Sequence, residues 1–312
     1  MISSLDQKAW DEKIIDLGGS ILQSYAWGRF QEELGNKVIR FSGPTYSASA
    51  VGLPLPMGKK YYYCPKGPVG EAADNLADLK TLGEDKNVIF VRLEPQKPIL
   101  LPVAAKEVQP KTNWVLSVDQ TEDQLLVGMK PKTRYNINLA FRKGVVVREG
   151  GASDLVSLWQ MMLETAARNK FQLHPQNYYL KMFEILAPKH LKILVASYQG
   201  KPLAGMILTL FSDSATYLHG GSSAANKEAM APYLLHWEAI RLAKSFGCKF
   251  YDFGGIASNN DSRHAWSGIS RFKKGFGGFE INSAGVYDLI FSPIWYNVYK
   301  QARLVRRLIR PV

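Results

Sequence analysis

Strand-like and helix-like patterns alternate along the chain, and they do so in two cycles of the same form. In the first, the tyrosine-rich strand Lys60 to Cys64 runs into Lys66-Gly67-Pro68. A helical stretch, Glu71 to Leu82, and an apolar strand, Val88 to Leu93, follow. In the second, Ala215 to His219 runs into Gly220-Gly221-Ser222. A helix with Leu235, Ala239, Leu242 and Phe246 on one face and the strand Lys249 to Phe253 follow. Short apolar runs between turn signals predict buried strands, and a 3.6-residue apolar period predicts helices that cover them. This alternation restricts the chain to a mixed α/β architecture. The 312 residues are enough for two domains of about 150 residues each. Identity between the two cycles is poor, so the repeat is one of form. The boundary is expected near Gly144, which ends a basic helix running from Pro131 to Lys143. Further helix starts are predicted at Ser24 and at Thr121, the latter with Gln124 three residues on, the spacing of a capping box.

Charge and cysteine content narrow the function. Lys and Arg number 39 against 27 Asp and Glu, a net charge of +12 that favours polyanionic partners such as nucleic acid, nucleotide phosphates or an anionic membrane face. The two cysteines, Cys64 and Cys248, form no CxxC and no disulfide framework, which fits a reducing compartment. The first residues lack the charge and apolar pattern of a signal peptide, and no apolar run reaches the roughly 18 residues of a membrane span. A cytoplasmic protein is expected, with peripheral contact at the inner membrane face left open. The five histidines lie far apart and no HExxH occurs, so no metal is expected. Gly52 to Lys60 fails as a phosphate loop in glycine spacing and in placing Lys60 where Ser or Thr should stand. Gly275 to Gly278 is no GxGxxG, and there is no GxSxG.

The most informative stretch is Tyr251 to Phe279, YDFGGIASNNDSRHAWSGISRFKKGFGGF. An apolar strand ends in Gly254-Gly255, where the backbone can take positive φ and approach a ligand closely. A short helix carrying Phe272, Lys273 and Lys274 follows, then a glycine-rich turn. A lysine among aromatics, partly desolvated, acts strongly on a developing anion. The ordinary alternative is a turn followed by a solvated lysine pair.

The order YDFGGI, gap, FKKGFGG resembles the C-terminal signature of the Fem (FemABX) aminoacyl-tRNA-dependent peptidyltransferases. LQSYAWGRFQEELG, YYYCPKGPV and KPKTRYNINLAFRKGVVV resemble three further blocks of that family, in order. The resemblance implies an α/β fold of tandem GNAT-like (acyl-CoA N-acyltransferase-like) domains, spanning 1–143 and 144–285, with 286–312 packing back on the first. No coiled-coil arm is present in the sequence. It implies an aminoacyltransferase that moves an amino acid from aminoacyl-tRNA to the stem peptide of a UDP-linked or lipid-linked muramyl-pentapeptide precursor. No cofactor is implied, and a monomer is expected. Lys273, with Phe272 packing beside it, is the implied catalytic cation; Lys274 competes, because a register error of one would exchange the two. Substrate contacts are implied at Gly67 and Pro68, Arg168, Tyr217, Tyr251, Gly254 and Gly255, with Trp27 and Lys37 as weaker candidates; Trp27 reads equally as core.

Two basic segments are candidates for RNA or membrane contact. Lys132 and Arg134 lie with Lys130, Arg142 and Lys143 on the helix before Gly144. Arg303, Arg307 and Arg310 lie with Lys300 on a C-terminal helix, opposite Ile294, Val298, Ala302, Val305 and Ile309. A docked apolar stripe with a solvated charged face is the plain reading of the latter. Two other functions remain compatible with the sequence. An acyl-CoA-dependent N-acyltransferase is disfavoured because neither Lys66-Gly67-Pro68-Val69 nor Gly220-Gly221-Ser222-Ser223 keeps the pyrophosphate-binding turn. A non-catalytic tRNA-binding protein would leave the surroundings of Lys273 without a purpose.

Overall fold

The computed structural model describes residues 2–71, 76–101, 108–257 and 265–309, with side chains of α-helical residues 306–309 excepted. The chain forms two compact units, Met1–Gln109 with Ser283–Val312, and Pro110–Asn282.

In the first unit, α1 (Gln7–Asp16) begins at Asp6, whose carboxylate accepts from Ala9 N, and α2 (Tyr25–Glu33) begins at Ser24, whose hydroxyl accepts from Trp27 N. Each cap satisfies an amide that the first helical turn leaves without a partner. The sheet is built from β1 (Lys37–Ser42), β2 (Tyr46–Pro54), β3 (Lys60–Cys64), β5 (Val88–Leu93) and β13 (Tyr287–Ile290) in the order β1-β2-β3-β5-β13, with β4 (Val69–Gly70) paired to β2. β3 and β5 run parallel and are connected through α3 (Leu76–Lys80); the remaining neighbours are antiparallel. All six residues of β5 are buried, Val88 to Val91 and Leu93 as an apolar run and Arg92 as half of an ion pair. The chain returns to this unit through β13 and α10 (Pro293–Ile309). Arg92 on β5 donates from Nε and Nη2 to the two oxygens of Asp288 on β13, at 2.8 and 2.7 Å, and Tyr296 on α10 donates to Asp288 Oδ2 at 2.7 Å. A buried ion pair satisfied on every side thus fastens the last segment to the first unit.

In the second unit the elements are β6 (Thr112–Ser117), α4 (Glu122–Gly128), α5 (Pro131–Arg142), β7 (Val146–Gly150), α6 (Leu155–Asn169), α7 (Gln176–Leu186), β8 (Leu191–Tyr198), β9 (Lys201–Phe211), β10 (Ser214–Ser222), α8 (Ala231–Ser245), β11 (Phe250–Gly255), α9 (Ser267–Lys274) and β12 (Phe279–Asn282). The strand order is β12-β6-β11-β10-β9-β8-β7. β10 and β11 are the parallel pair, joined by α8, but they pair only from Ser214 to Thr216 against Phe250 to Asp252. Beyond that point β10 bulges at Tyr217 to His219 and β11 bulges at Asp252 to Gly255. The two strands part there, and the sheet opens.

The structure moves the expected domain boundary from Gly144 to the step between Gln109 and Pro110. β6 is paired on both sides, by β11 and β12, and Leu125, Met129, Ile137 and Ala140 are part of the second unit's core. Gly144 does end α5, with φ +84°, yet it ends a helix inside that unit. The C-terminal helix also departs from the plain reading. Its buried contact is Tyr296, edge-on to Phe90, whereas Ile294, Val298 and Val305 face outward. Asp288 explains the choice, because only the face bearing Tyr296 reaches that buried carboxylate.

Asp288→Ala should strand the Arg92 guanidinium in the core and cost the first unit about 3–5 kcal/mol. Denaturant unfolding followed by a probe in each unit checks this: the transition of residues 1–109 should fall and that of 110–282 should hold.

Candidate active site

α9 delivers Lys273 to the place where β10 and β11 separate. The side chain is only 6% exposed, and Nζ donates to the Gly255 carbonyl at 2.7 Å. The backbone just before that carbonyl is clamped by Asp252 on the same strand. Asp252 Oδ1 accepts from Gly254 N at 2.7 Å while Oδ2 accepts from Asn113 Nδ2 on β6 at 2.8 Å. The clamp spans the β11 bulge, and Gly254 has φ +74°, a conformation an L side chain rarely adopts. A Cβ at Gly254 would stand 3.8 Å from Lys273 Nζ, an ordinary contact, so it is the positive φ that calls for glycine there.

Aromatic rings wall the site. Lys273 Nζ lies 5.9 Å from the centre of the Tyr217 ring. Phe272 packs edge-on to Tyr233 and His236, with ring centres 4.9 and 5.3 Å away, and next to Phe276. His236, buried on α8, shares a hydrogen bond of 2.9 Å between Nδ1 and Tyr251 Oη. Burial pushes the Lys273 ammonium down to about 8, against the pull of the Asp252 carboxylate, which favours the charged form. His236 is pushed down to about 3, first by burial and then by the Lys273 charge, so it is neutral at physiological pH. Burial raises Tyr217 to about 12 and Tyr251 well above the usual phenol value. Near pH 7 the pocket therefore holds an ammonium beside neutral rings, with the Asp252 carboxylate engaged by the backbone and Asn113.

The adjacent lysine goes elsewhere. Lys274 Nζ is 2.6 Å from Glu280 Oε1 and 5.1 Å from the centre of the Trp114 ring. Trp114 Nε1 donates to Gly277 O at 2.6 Å, which ties the glycine-rich turn to β6. A Cβ on Gly278 would come within 2.2 Å of the Val115 carbonyl, so this turn admits no side chain there.

Beside Phe272 lies a cleft of about 280 Å³, bordered by Arg168, Ser222, Lys227, Met230 and Tyr233. Arg168 Nη2 donates to the carbonyl of Ser222 at 2.8 Å, and so binds α6 to the end of β10 while lining the cleft. Among the sequence-predicted residues, the structure thus brings together Phe272, Lys273, Tyr217, Tyr251, Gly254 and Gly255, with Arg168 across the cleft from Phe272. His236, Asp252, Asn113 and Tyr233 join them without having been singled out in the sequence. Asp252 carried a signal, standing two residues before the first glycine of YDFGG. His236 carried none, since it falls among the apolar residues of α8.

The other predicted residues lie apart. In the first unit Gly67-Pro68 is a cis peptide bond, and the turn is built around Glu94. This buried carboxylate accepts from Tyr63 Oη at 2.9 Å, Lys66 N at 3.2 Å and Gln109 N at 3.1 Å, and Glu94 N donates to Gly67 O at 2.8 Å. Gln23 supports the same turn, donating to Pro65 O and accepting from Ser49 N, each at 2.7 Å. A Cβ at Gly67 would strike the Gln23 amide at 2.6 Å. Trp27 is buried, edge-on to Phe30, which is the core reading. Lys37 is exposed on the edge strand β1. Lys132 is exposed on α5, but Arg134 donates to the carbonyls of Leu126, Val127 and Met129 and so closes the end of α4. Arg303 donates to Tyr299 Oη at 2.9 Å. The Arg307 side chain and Arg310 fall outside the described residues. Among the described residues no group of three or more His, Cys, Asp or Glu is placed to hold a metal ion, and both cysteines are buried thiols.

Two sheets, each with one parallel pair bridged by a helix and antiparallel neighbours outside it, define a tandem GNAT-like protein. The chain belongs to the FemAB family, whose model matches residues 99–201 and 191–303. It is 26% identical over 233 residues to the UDP-N-acetylmuramoylpentapeptide-lysine N(6)-alanyltransferase of Weissella viridescens, covering 66% of this chain and 69% of that protein. Over 261 residues it is 18% identical to the lipid II:glycine glycyltransferase of Staphylococcus haemolyticus, covering 63% of this chain and 62% of that one. The crystal structure of FemX superposes with a TM-score of 0.84 at 14% identity, over 96% of this chain and 99% of that chain, and so shares the fold.

The depressed Lys273 fixes a pH signature in stability. Its folded value, about 8, is below the ordinary 10.5, so between these the unfolded chain binds the extra proton and stability rises with pH. Relative to Lys273→Met, the wild type should gain up to about 3 kcal/mol between those two values and nothing further above them. Urea unfolding of both proteins across that range is the check.

Proposed function

We propose that this chain transfers an aminoacyl group from aminoacyl-tRNA to an amine on the stem peptide of a peptidoglycan precursor, with the Lys273 ammonium stabilising the reacting carbonyl. The observation that carries the reading is the buried Lys273 cation, held by the neutral Gly255 carbonyl where the β10/β11 sheet opens. The printed activities of the two relatives, alanyl transfer to a muramoyl-pentapeptide lysine and glycyl transfer to lipid II, support the reaction class.

The acceptor amine attacks the ester carbon and a C–N bond forms. Charge collects on the carbonyl oxygen. An ammonium with one hydrogen occupied by Gly255 O has two left to donate to that oxygen, in a setting where burial strengthens each interaction. As the tetrahedral species collapses, the bond to the ribose oxygen breaks, an amide remains, and the proton lost by the amine passes to the departing ribose hydroxyl. Lys273 keeps its own proton throughout, so the chemistry requires no protein base. Phe272 and Tyr217 exclude water and prevent the cation from being dispersed by solvent. The exposed Lys132 and Arg142 on α5 and Lys143 just after it, with the exposed ring of Tyr135, suit the phosphates and bases of the tRNA donor; Arg134 is engaged in closing α4.

Transfer assays with charged tRNA and both UDP-linked and lipid-linked acceptors test the assignment. Lys273→Met should lose about 10²–10³ in rate at unchanged acceptor affinity, the loss expected for one oxyanion donor. Lys274→Met, which breaks the contacts with Glu280 and the Trp114 ring, should stay within about threefold of wild type. Equal rates for wild type and Lys273→Met would remove Lys273 from the mechanism.

A further inference from the structure

One buried oxygen beside Lys273 has no role in the clamp. Asn113 is half-buried on β6, and only one end of its amide is engaged. Nδ2 donates to Asp252 Oδ2 at 2.8 Å, while Oδ1 is buried and has no hydrogen-bond partner. Donation to a carboxylate fixes which end of this amide is the oxygen. A buried acceptor without a donor is unfavourable for folding, so its presence calls for another explanation. Its place in the fold supplies one. Asn113 pairs with Gly255 across β6 and β11, and Gly255 is the residue whose carbonyl holds Lys273 Nζ. Asp252 lies on the same strand as Gly255, and its charge acts on the Lys273 ammonium. A cation, a carboxylate and an unused amide oxygen thus belong to two adjoining strands and the end of α9.

We infer that Asn113 Oδ1 and the Asp252 carboxylate seat the α-ammonium of the aminoacyl donor, an assignment that rests on the transfer reaction proposed above. The pair then selects donors whose α-amine is free. An aminoacyl ester carries its α-nitrogen on the carbon next to the reacting carbonyl. When the carbonyl oxygen meets Lys273, a second cation therefore comes close to the first. A nearby carboxylate offsets their repulsion, and an amide oxygen accepts an N–H of the incoming group. Asp252 supplies the charge and Asn113 Oδ1 the acceptor. The attacking amine of the stem peptide is the other group that such a seat could hold. That amine has to attack without its extra proton, and a carboxylate that favoured its charged form would oppose the reaction. The α-amine of the donor makes and breaks no bond, so it remains charged throughout. A donor lacking it leaves Oδ1 without a partner, which is the circumstance in which a polar site discriminates well.

Transfer by the full chain from aminoacyl-tRNA is compared with transfer from the matching α-hydroxyacyl-tRNA, in which a hydroxyl replaces the α-amine. In the wild type kcat/KM should favour the amino donor by about tenfold to a hundredfold, the range for a hydrogen bond to a charged group. In Asn113→Leu, a side chain of similar shape without the oxygen, the preference should fall to within about threefold. Asp252→Asn, which keeps an oxygen for Gly254 N and removes the charge, should lower it as well, and it decides the matter if the leucine variant does not fold. A shifted Gly255 or Lys273 would slow both donors alike, so a lower rate with the preference intact overturns the assignment. So does a KM for the stem peptide that rises while the donor preference holds, which would give the seat to the attacking amine. A wild type that uses both donors equally removes the seat and leaves the reaction standing. One that transfers from neither overturns the reaction, and the seat with it.

Discussion

A lysine ammonium removed from water beside a backbone carbonyl is costly, and the second unit is arranged around keeping it there. Without the Gly255 carbonyl, burial would drive Lys273 toward its neutral form; without the rings of Tyr217 and Phe272, water would disperse its charge. The carbonyl is available because β11 bulges, and the bulge is held by Asp252 between Gly254 N and Asn113. The pairing of β10 with β11 ends after Thr216 and Asp252, and Lys273 is buried beside that point. Each of these features is unfavourable or neutral for folding taken alone, which is the usual mark of a functional site.

The two units use one frame to different ends. In the first, β3 and β5 pair from Lys60 to Cys64 against Val88 to Leu93, with a register shift between Lys60 and Tyr62, and the pairing runs to the end of both strands. The turn after β3 is instead fixed by Glu94 and Gln23 through hydrogen bonds to backbone groups. Buried polar side chains fully satisfied in this manner hold a turn rigidly and in a single conformation. In the second unit the pairing stops after three residues, and the candidate site lies at the two bulges.

Much of the architecture was legible in the sequence because it depends on local chemistry. Thr121 and Gln124 make the capping box their spacing predicts, and the two parallel pairs follow the two strand–turn–helix–strand cycles. The domain boundary was not legible, since β6 shows its partners only when the distant β11 and β12 are in place. The orientation of α10 was missed for a similar reason: an amphipathic stripe normally docks, but the buried Asp288 carboxylate and Phe90 capture the face of Tyr296 instead. At the site, FKKGFGG pointed to the lysine pair but left its two members equivalent. What separates them is Glu280 and Trp114 on one side and Gly255 on the other, partners set by tertiary structure. Asp252 was visible beside its glycines, whereas His236 could not be told from a core residue until its ring was seen against Tyr217 and Tyr251.

Everything in the proposed chemistry rests on a cation being present and poorly hydrated at Nζ of Lys273. Titration of lysine Cε resonances in selectively ¹³C-labelled protein, assigned by comparison with Lys273→Met, measures that property directly. The account predicts one lysine with a midpoint near 8, missing from the variant, well below the ordinary 10.5 of its neighbours. A Lys273 resonance that titrates with the ordinary lysines would contradict it, because the ammonium would then be in water and the electrostatic argument would have no basis.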